Sequence, residues 1–124
     1  MSFSDYFEDY VLDLLLNKTT YLGLSTADPT DDGSGLAEPS GNAYARATVP
    51  KSYWDDSSGG SKSNGTTIEF TQATGSWGTI THFAIFDALT GGNILLSGAV
   101  DTPATVNTGQ TARFAASALT VSLD

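Results

Sequence analysis

The chain has no cysteine. Disulfide frameworks, thiolate metal centres and cysteine nucleophiles are thereby excluded, while the compartment stays open, because many extracellular proteins carry no disulfide. Basic residues are scarce. Five Lys and Arg stand against fourteen Asp and Glu, a formal net charge of −9. Gripping a phosphate backbone or anionic lipid headgroups takes clustered Lys and Arg, so neither nucleic acid nor a membrane surface is expected as a partner. Histidine occurs once, at His82. No Gly-x-Ser-x-Gly elbow and no phosphate-cradling glycine loop is present, so neither an enzyme nor a cofactor is expected. Near the acidic N-terminus the longest apolar run is Leu14 to Leu16. That is too short for a signal peptide or a membrane span.

Charged residues make up only 15% of the chain, against roughly 25% in an average soluble domain. The polar surface must come from Thr, Ser, Asn and Gly, which favours strands, turns and protein-covered faces. A length of 124 residues fits one β-rich domain over 1–124.

The spacing predicts a helix over 3–16, with Phe3, Tyr6, Phe7, Tyr10, Val11, Leu14 and Leu15 along one face. Ser2 is placed to cap it, Asp5 three residues on completes a capping box, and Asn17 is a stop. So short a helix is marginal alone in water. It must dock on its own sheet or on a neighbouring subunit. Strands are expected at 19–25, 44–49, 66–71, 77–87 and 93–100, then around the turn Asn107-Thr108-Gly109, and finally at 119–124. Ile80, Ala84 and Phe86 alternate with Phe83 and Ile85, as in a central strand covered on both sides. Thr90-Gly91-Gly92-Asn93 is a hairpin turn, and Thr102-Pro103 is expected to break the strand after it. Breaker-rich stretches at 26–41 and 50–65 read as long loops. With no internal repeat, this predicts a mainly β fold: an antiparallel sandwich or jelly-roll-like barrel with one short N-terminal helix.

Several residues invite a chemical reading. His82 could act as a base beside Asp87 or a serine, but a triad needs a third positioned group, and a strand histidine hydrogen-bonded at a sheet surface is the simpler reading. Asp28, Asp31 and Asp32 could supply oxygens to calcium, yet their spacing is not that of an EF-hand loop, and Asp-Pro and Asp-Asp-Gly are ordinary turn chemistry. No metal site is expected. Trp77 reads as core. Trp54, beside a polar loop, is a candidate for sugar stacking or protein contact. Arg46 and Arg113 stand in weakly charged strands, as surface ion pairs or as interface contacts. The interface candidates are therefore Phe3, Tyr6, Phe7, Tyr10, Tyr44, Arg46, Tyr53, Trp54 and Arg113.

One pattern covers nearly the whole chain: Tyr21-Leu22-Gly23-Leu24-Ser25-Thr26-Ala27-Asp28-Pro29, Gly41-Asn42-Ala43-Tyr44-Ala45-Arg46, Ser63-Asn64, Gly75-Ser76-Trp77-Gly78-Thr79-Ile80-Thr81-His82-Phe83-Ala84-Ile85-Phe86-Asp87, Thr90-Gly91-Gly92-Asn93-Ile94-Leu95 and Leu119-Thr120-Val121-Ser122-Leu123. It resembles short phage and prophage virion structural proteins, usually labelled tail-fibre-like and related to capsid cement or decoration subunits. The resemblance implies a structural role in the virion, on the outer head surface or the tail. It also implies contacts with the major capsid protein or tail proteins, and homo-oligomeric assembly with a trimer favoured. Capsid cement is the first reading, and a tail-associated fibre, tip or collar component is the alternative. A carbohydrate-binding module using Trp54 is a second alternative. Net acidity suits a subunit kept away from packaged DNA.

Overall fold

Alternating β-branched, aromatic and small residues draw most of the chain into extended backbone. A computed structural model describes residues 2–123; Met1 and Asp124, the ends of the expected domain, lie outside the described residues. The elements in chain order are α1 (Asp5–Leu15), β1 (Thr20–Ser25), β2 (Ala47–Val49), a 3₁₀ turn (Lys51–Tyr53), β3 (Ser61–Ser63), β4 (Ile68–Glu69), β5 (Gly78–Phe86), β6 (Ile94–Val106), β7 (Arg113–Phe114) and β8 (Thr120–Ser122). The fold is mainly β with one short N-terminal helix, as expected. Its sheets are open, and among the described residues none closes into the jelly-roll-like barrel offered as an alternative. No described helix is long and apolar enough to cross a membrane.

The chain forms two compact units. One comprises Thr20–Thr48 and Glu69–Ala112. Its sheet has the order β2-β1-β5-β6. β5 is the central strand, antiparallel to β1 (Leu22 opposite Ile85, Leu24 opposite Phe83) and to β6 (Ile85 opposite Leu96). Phe83 to Phe86 are all buried, the two-sided covering that their apolar run predicts. The β5–β6 turn follows the expected glycines: Gly91 and Gly92 adopt positive φ of 60° and 71°. The Asp87 carboxylate closes the turn, accepting from the Asn93 backbone N–H at 2.7 Å and from its side-chain amide at 2.9 Å.

Pro103 does not break β6, contrary to expectation. Pairing with β5 shifts between Ile80 opposite Ala104 and His82 opposite Ala99. Pro103 falls in that irregular stretch of an edge strand, where the ladder needs no N–H from it.

The other unit is built from the N-terminal stretch through Thr19, Val49–Ile68 and the stretch from Arg113 onward. Here the 50–65 region is not a plain loop, since it contains the 3₁₀ turn and β3. Ser61, Lys62 and Ser63 have little intrinsic strand preference. They become a strand because the apolar-alternating β8 pairs with them, Lys62 opposite Val121. In the closing segment Leu119 and Val121 are buried while Thr120 and Ser122 are exposed, as the alternation predicts. Asn64 is fully buried and links these segments. Its amide nitrogen donates to the Thr66 and Ala115 carbonyls at 3.0 and 2.9 Å, and its oxygen accepts from the Leu119 N–H at 2.9 Å.

Candidate interaction surface

Helix α1 starts later than the sequence suggests. Ser4, not Ser2, is the N-cap, and its Oγ accepts from the Phe7 N–H. The face it buries is not the aromatic stripe, for which docking on its own sheet and docking on a neighbouring subunit were both open. At 100° per residue, Glu8, Leu12 and Leu16 form one i, i+4, i+8 ridge, and Tyr6, Tyr10 and Leu14 form a second ridge about 200° away. The first ridge is buried. The second is bare, with Tyr6 79% and Leu14 65% exposed. Phe3 and Phe7 extend the bare surface, Phe3 edge-on to Phe7 and Phe7 stacked with Tyr10 at centroid separations of 5.1 and 6.2 Å. Phe3, Tyr6, Phe7 and Tyr10 were all named as interface candidates, and they stand together in solvent. Such a contiguous aromatic surface is unusual on a chain meant to stay alone.

The helix is fixed to its own unit by polar anchors. The Gly60 N–H donates to Asp9 Oδ1 at 2.8 Å, the Ser57 hydroxyl donates to the Asp9 carbonyl, and Lys62 Nζ donates to Asp13 Oδ1 at 2.8 Å. The Lys62 hydrogen bond holds the Asp13 carboxyl below its usual range. Beside the C-terminal half of α1 lies an open cleft of about 590 Å³, lined by Tyr10, Leu14, Leu16, Lys51, Trp54 and Lys62, with Asp13, Asn17, Ser52 and Asp56 completing it. The Trp54 indole N–H is buried and has no acceptor among the described residues.

The remaining candidates divide. Trp54 is 7% exposed and Trp77 4%, so neither offers the open ring that sugar stacking needs, and Trp54 contributes a wall of the cleft instead. Tyr53 is half-buried in the 3₁₀ turn, and Arg113 is exposed on β7. Tyr44 and Arg46 are both engaged within the unit of Thr20–Thr48 and Glu69–Ala112. Arg46 pairs bidentately with Glu38 (2.7 and 3.1 Å) and donates through Nη1 to the Ala88 and Gly91 carbonyls, each at 2.8 Å. Its guanidinium carbon lies 3.4 Å from the Phe86 ring centroid. The Tyr44 hydroxyl donates to Glu38 at 2.6 Å and accepts from the Leu24 N–H at 3.0 Å. Burial, and then the Glu38 carboxylate, raise that hydroxyl well above its ordinary value. Gly23 permits this crowding, since a Cβ there would stand 2.8 Å from the Phe86 ring and 2.9 Å from Glu38 Oε2.

His82 is half-buried in β5, with Nδ1 2.9 Å from the Thr81 hydroxyl. That is the sheet-surface role of a strand histidine. The Asp-rich loop is held by its own bonds. Asp28 accepts from the Thr30 N–H, and Asp32 accepts from the Thr30 hydroxyl and the Ser34 N–H. The Ser34 N–H, foremost, lowers the Asp32 carboxyl to about 2. Among the described residues no three His, Cys, Asp or Glu side chains converge as a metal group.

Reasoning from the sequence left Lys51 and Lys62 unnamed. A signal was present: Lys18, Lys51 and Lys62 are the only lysines, and all three belong to the unit that carries α1.

A family model described as podophage GP4 fiber I protein gp80 matches residues 2–122. No curated protein matches the chain.

Proposed function

Because the chain belongs to the podophage GP4 fiber I protein gp80 family, a family of phage virion structural proteins, we propose that it is a small fibre-associated subunit held in the particle by protein–protein contacts through the bare ridge of α1. Membership bears out the resemblance to fibre-like virion proteins. The observation that carries the proposal is the ridge itself. Tyr6, Tyr10 and Leu14, with Phe3 and Phe7, expose a continuous apolar surface on a helix already anchored from behind. Aromatic side chains of this kind are the usual anchors of protein interfaces. A structural role also fits the sequence, which carries no Gly-x-Ser-x-Gly elbow and no phosphate-cradling glycine loop.

Copy number and position test the reading. Labelled chain imaged on purified particles, with copies counted by quantitative mass spectrometry, is expected at fibre positions in small number. Hundreds of copies spread over the head would replace the fibre reading with capsid cement. Absence from mature particles would end both.

A further inference from the structure

We infer that the free edge of β6 takes up an extended strand from a polypeptide other than this chain, with a Lys or Arg of that strand lying beside Asp28 and Asp31. None of the residues involved belongs to α1, and the edge binds its strand whether or not the bare ridge makes contacts.

β6 is the last strand in the order β2-β1-β5-β6, so β5 is its one partner in the sheet. In an antiparallel ladder, alternate residues turn both N–H and C=O away from the neighbouring strand. Between Leu96 and Ala99 those outward groups meet no hydrogen-bond partner among the described residues. A row of main-chain donors and acceptors is matched in spacing by another extended backbone, and this fixes the class of partner.

The rest of β6 is guarded. Pairing is irregular at Leu95, between Ile94 opposite Phe86 and Leu96 opposite Ile85. It is irregular again from Val100 to Pro103, where Asp101 adds a charge and Pro103 removes an N–H. Bulges, charges and prolines are the devices that turn a foreign strand away. Leu96 to Ala99 face Ile85 to His82 in regular register and carry none of them.

Charge says what the added strand carries. Ala99 stands opposite His82 and Ser97 opposite Ala84, so Ser97 and Ala99 share the His82 face of the sheet. Both are small and exposed. With Gly98 they border an open pocket of about 430 Å³, walled by Asp28, Thr30, Asp31 and His82. No Lys or Arg lines it. Asp28 accepts from the Thr30 N–H, and neither Asp28 nor Asp31 forms an ion pair among the described residues. A strand laid about 4.8 Å from β6 sends alternate side chains to this face, over Ser97 and Ala99. A Lys or Arg there meets two carboxylates, and an acid there meets repulsion.

The same charges reject a second copy. Two β6 edges paired with each other would bring both acidic pockets to one seam, on chains that each carry −9. Nor does this chain offer a suitable basic strand. Lys62 of β3 is buried against Asp13, and Arg113 lies in β7, two residues long and already paired with β4.

The test uses the full chain in purified particles. Thr102→Cys places the protein's only thiol on the exposed part of β6 beyond the open stretch. A benzophenone attached there crosslinks on illumination to its neighbour. The expected product joins this chain to a different polypeptide, at an extended segment that contains Lys or Arg, identified by mass spectrometry. Asp28→Asn combined with Asp31→Asn keeps an oxygen for the Thr30 N–H. With the melting temperature unchanged, it should lower the yield about fivefold, the effect of losing two exposed ion pairs. Ala99→Lys, which puts a cation of the chain's own at the pocket, should abolish the crosslink. A crosslink to a second copy, a crosslinked segment without a basic residue, a yield that none of these substitutions lowers, or no crosslink at all would overturn the inference.

Discussion

Tyr10 and Leu12 are two residues apart on α1 and end in opposite surroundings, Tyr10 55% exposed and Leu12 1%. Two steps of 100° turn the chain from solvent to core. Leu12→Ala should therefore cost about 2–5 kcal/mol of folding stability by opening a cavity. Tyr10→Ala should shift it by no more than about 0.5 kcal/mol. Urea unfolding of the two variants checks the contrast.

Arg46 is held by Glu38, by two carbonyls and by the Phe86 ring. Its side chain is 7% exposed and that of Glu38 19%. Glu38→Ala should leave the guanidinium buried without its countercharge and cost about 3 kcal/mol, the lower end of the range for breaking a buried pair. Arg46→Lys should also destabilise, because an ammonium cannot fork onto the carboxylate and lie flat on the ring. Chemical denaturation of both variants is the measurement. Equal stability of Arg46→Lys and the parent would contradict this geometry.

Tyr44 should make the fold sensitive to alkali. Its hydroxyl titrates higher in the folded chain than in the unfolded one, so its contribution is complete below about pH 10 and is lost as pH rises beyond that. The melting temperature should hold through neutral pH and fall above this point. Tyr44→Phe should flatten that fall, while costing about 1–3 kcal/mol at neutral pH by leaving Glu38 and the Leu24 N–H without their shared partner. Melting curves of both proteins from pH 7 to about 11.5 span the unfolded-state value.

Asn64 is the polar centre of its unit, with every side-chain bond made to backbone. Asn64→Leu should cost about 1–3 kcal/mol, since the buried Leu119 N–H would lose its acceptor while the Thr66 and Ala115 carbonyls lose their donor. Hydrogen exchange at Leu119 should rise with it. An unchanged rate there would mean that the Asn64 bond does not protect this amide.

Much of the sheet is legible in the sequence, and the misses have physical causes. β5 and its hairpin follow from an apolar run leading to Gly91-Gly92, because glycine adopts the positive φ this turn uses without steric cost. The buried ridge of α1 was not legible, because Glu8 shares it with Leu12 and Leu16 and the docking of the aromatic stripe was open between its own sheet and a neighbouring subunit. Glu8 lies at Gly60, where an added Cβ would come within 2.7 Å of its carboxylate. The aromatic ridge looks more hydrophobic and is the one left bare. Arg46 could not be assigned inward from pattern, because its partner Glu38 lies in a loop eight residues earlier with no periodic relation to it. β3 owes its strand to β8, fifty-nine residues away at the Lys62–Val121 pair, which no local window contains.

The most direct test of the account is incorporation. Particles are propagated with the parent chain and with a Tyr10→Ser, Leu14→Ser double variant of unchanged melting temperature, and copies per particle are counted. The account predicts loss of at least about nine-tenths of the copies, the tenfold effect of roughly 1.4 kcal/mol at a contact anchored by these side chains. Full incorporation of the variant would contradict it.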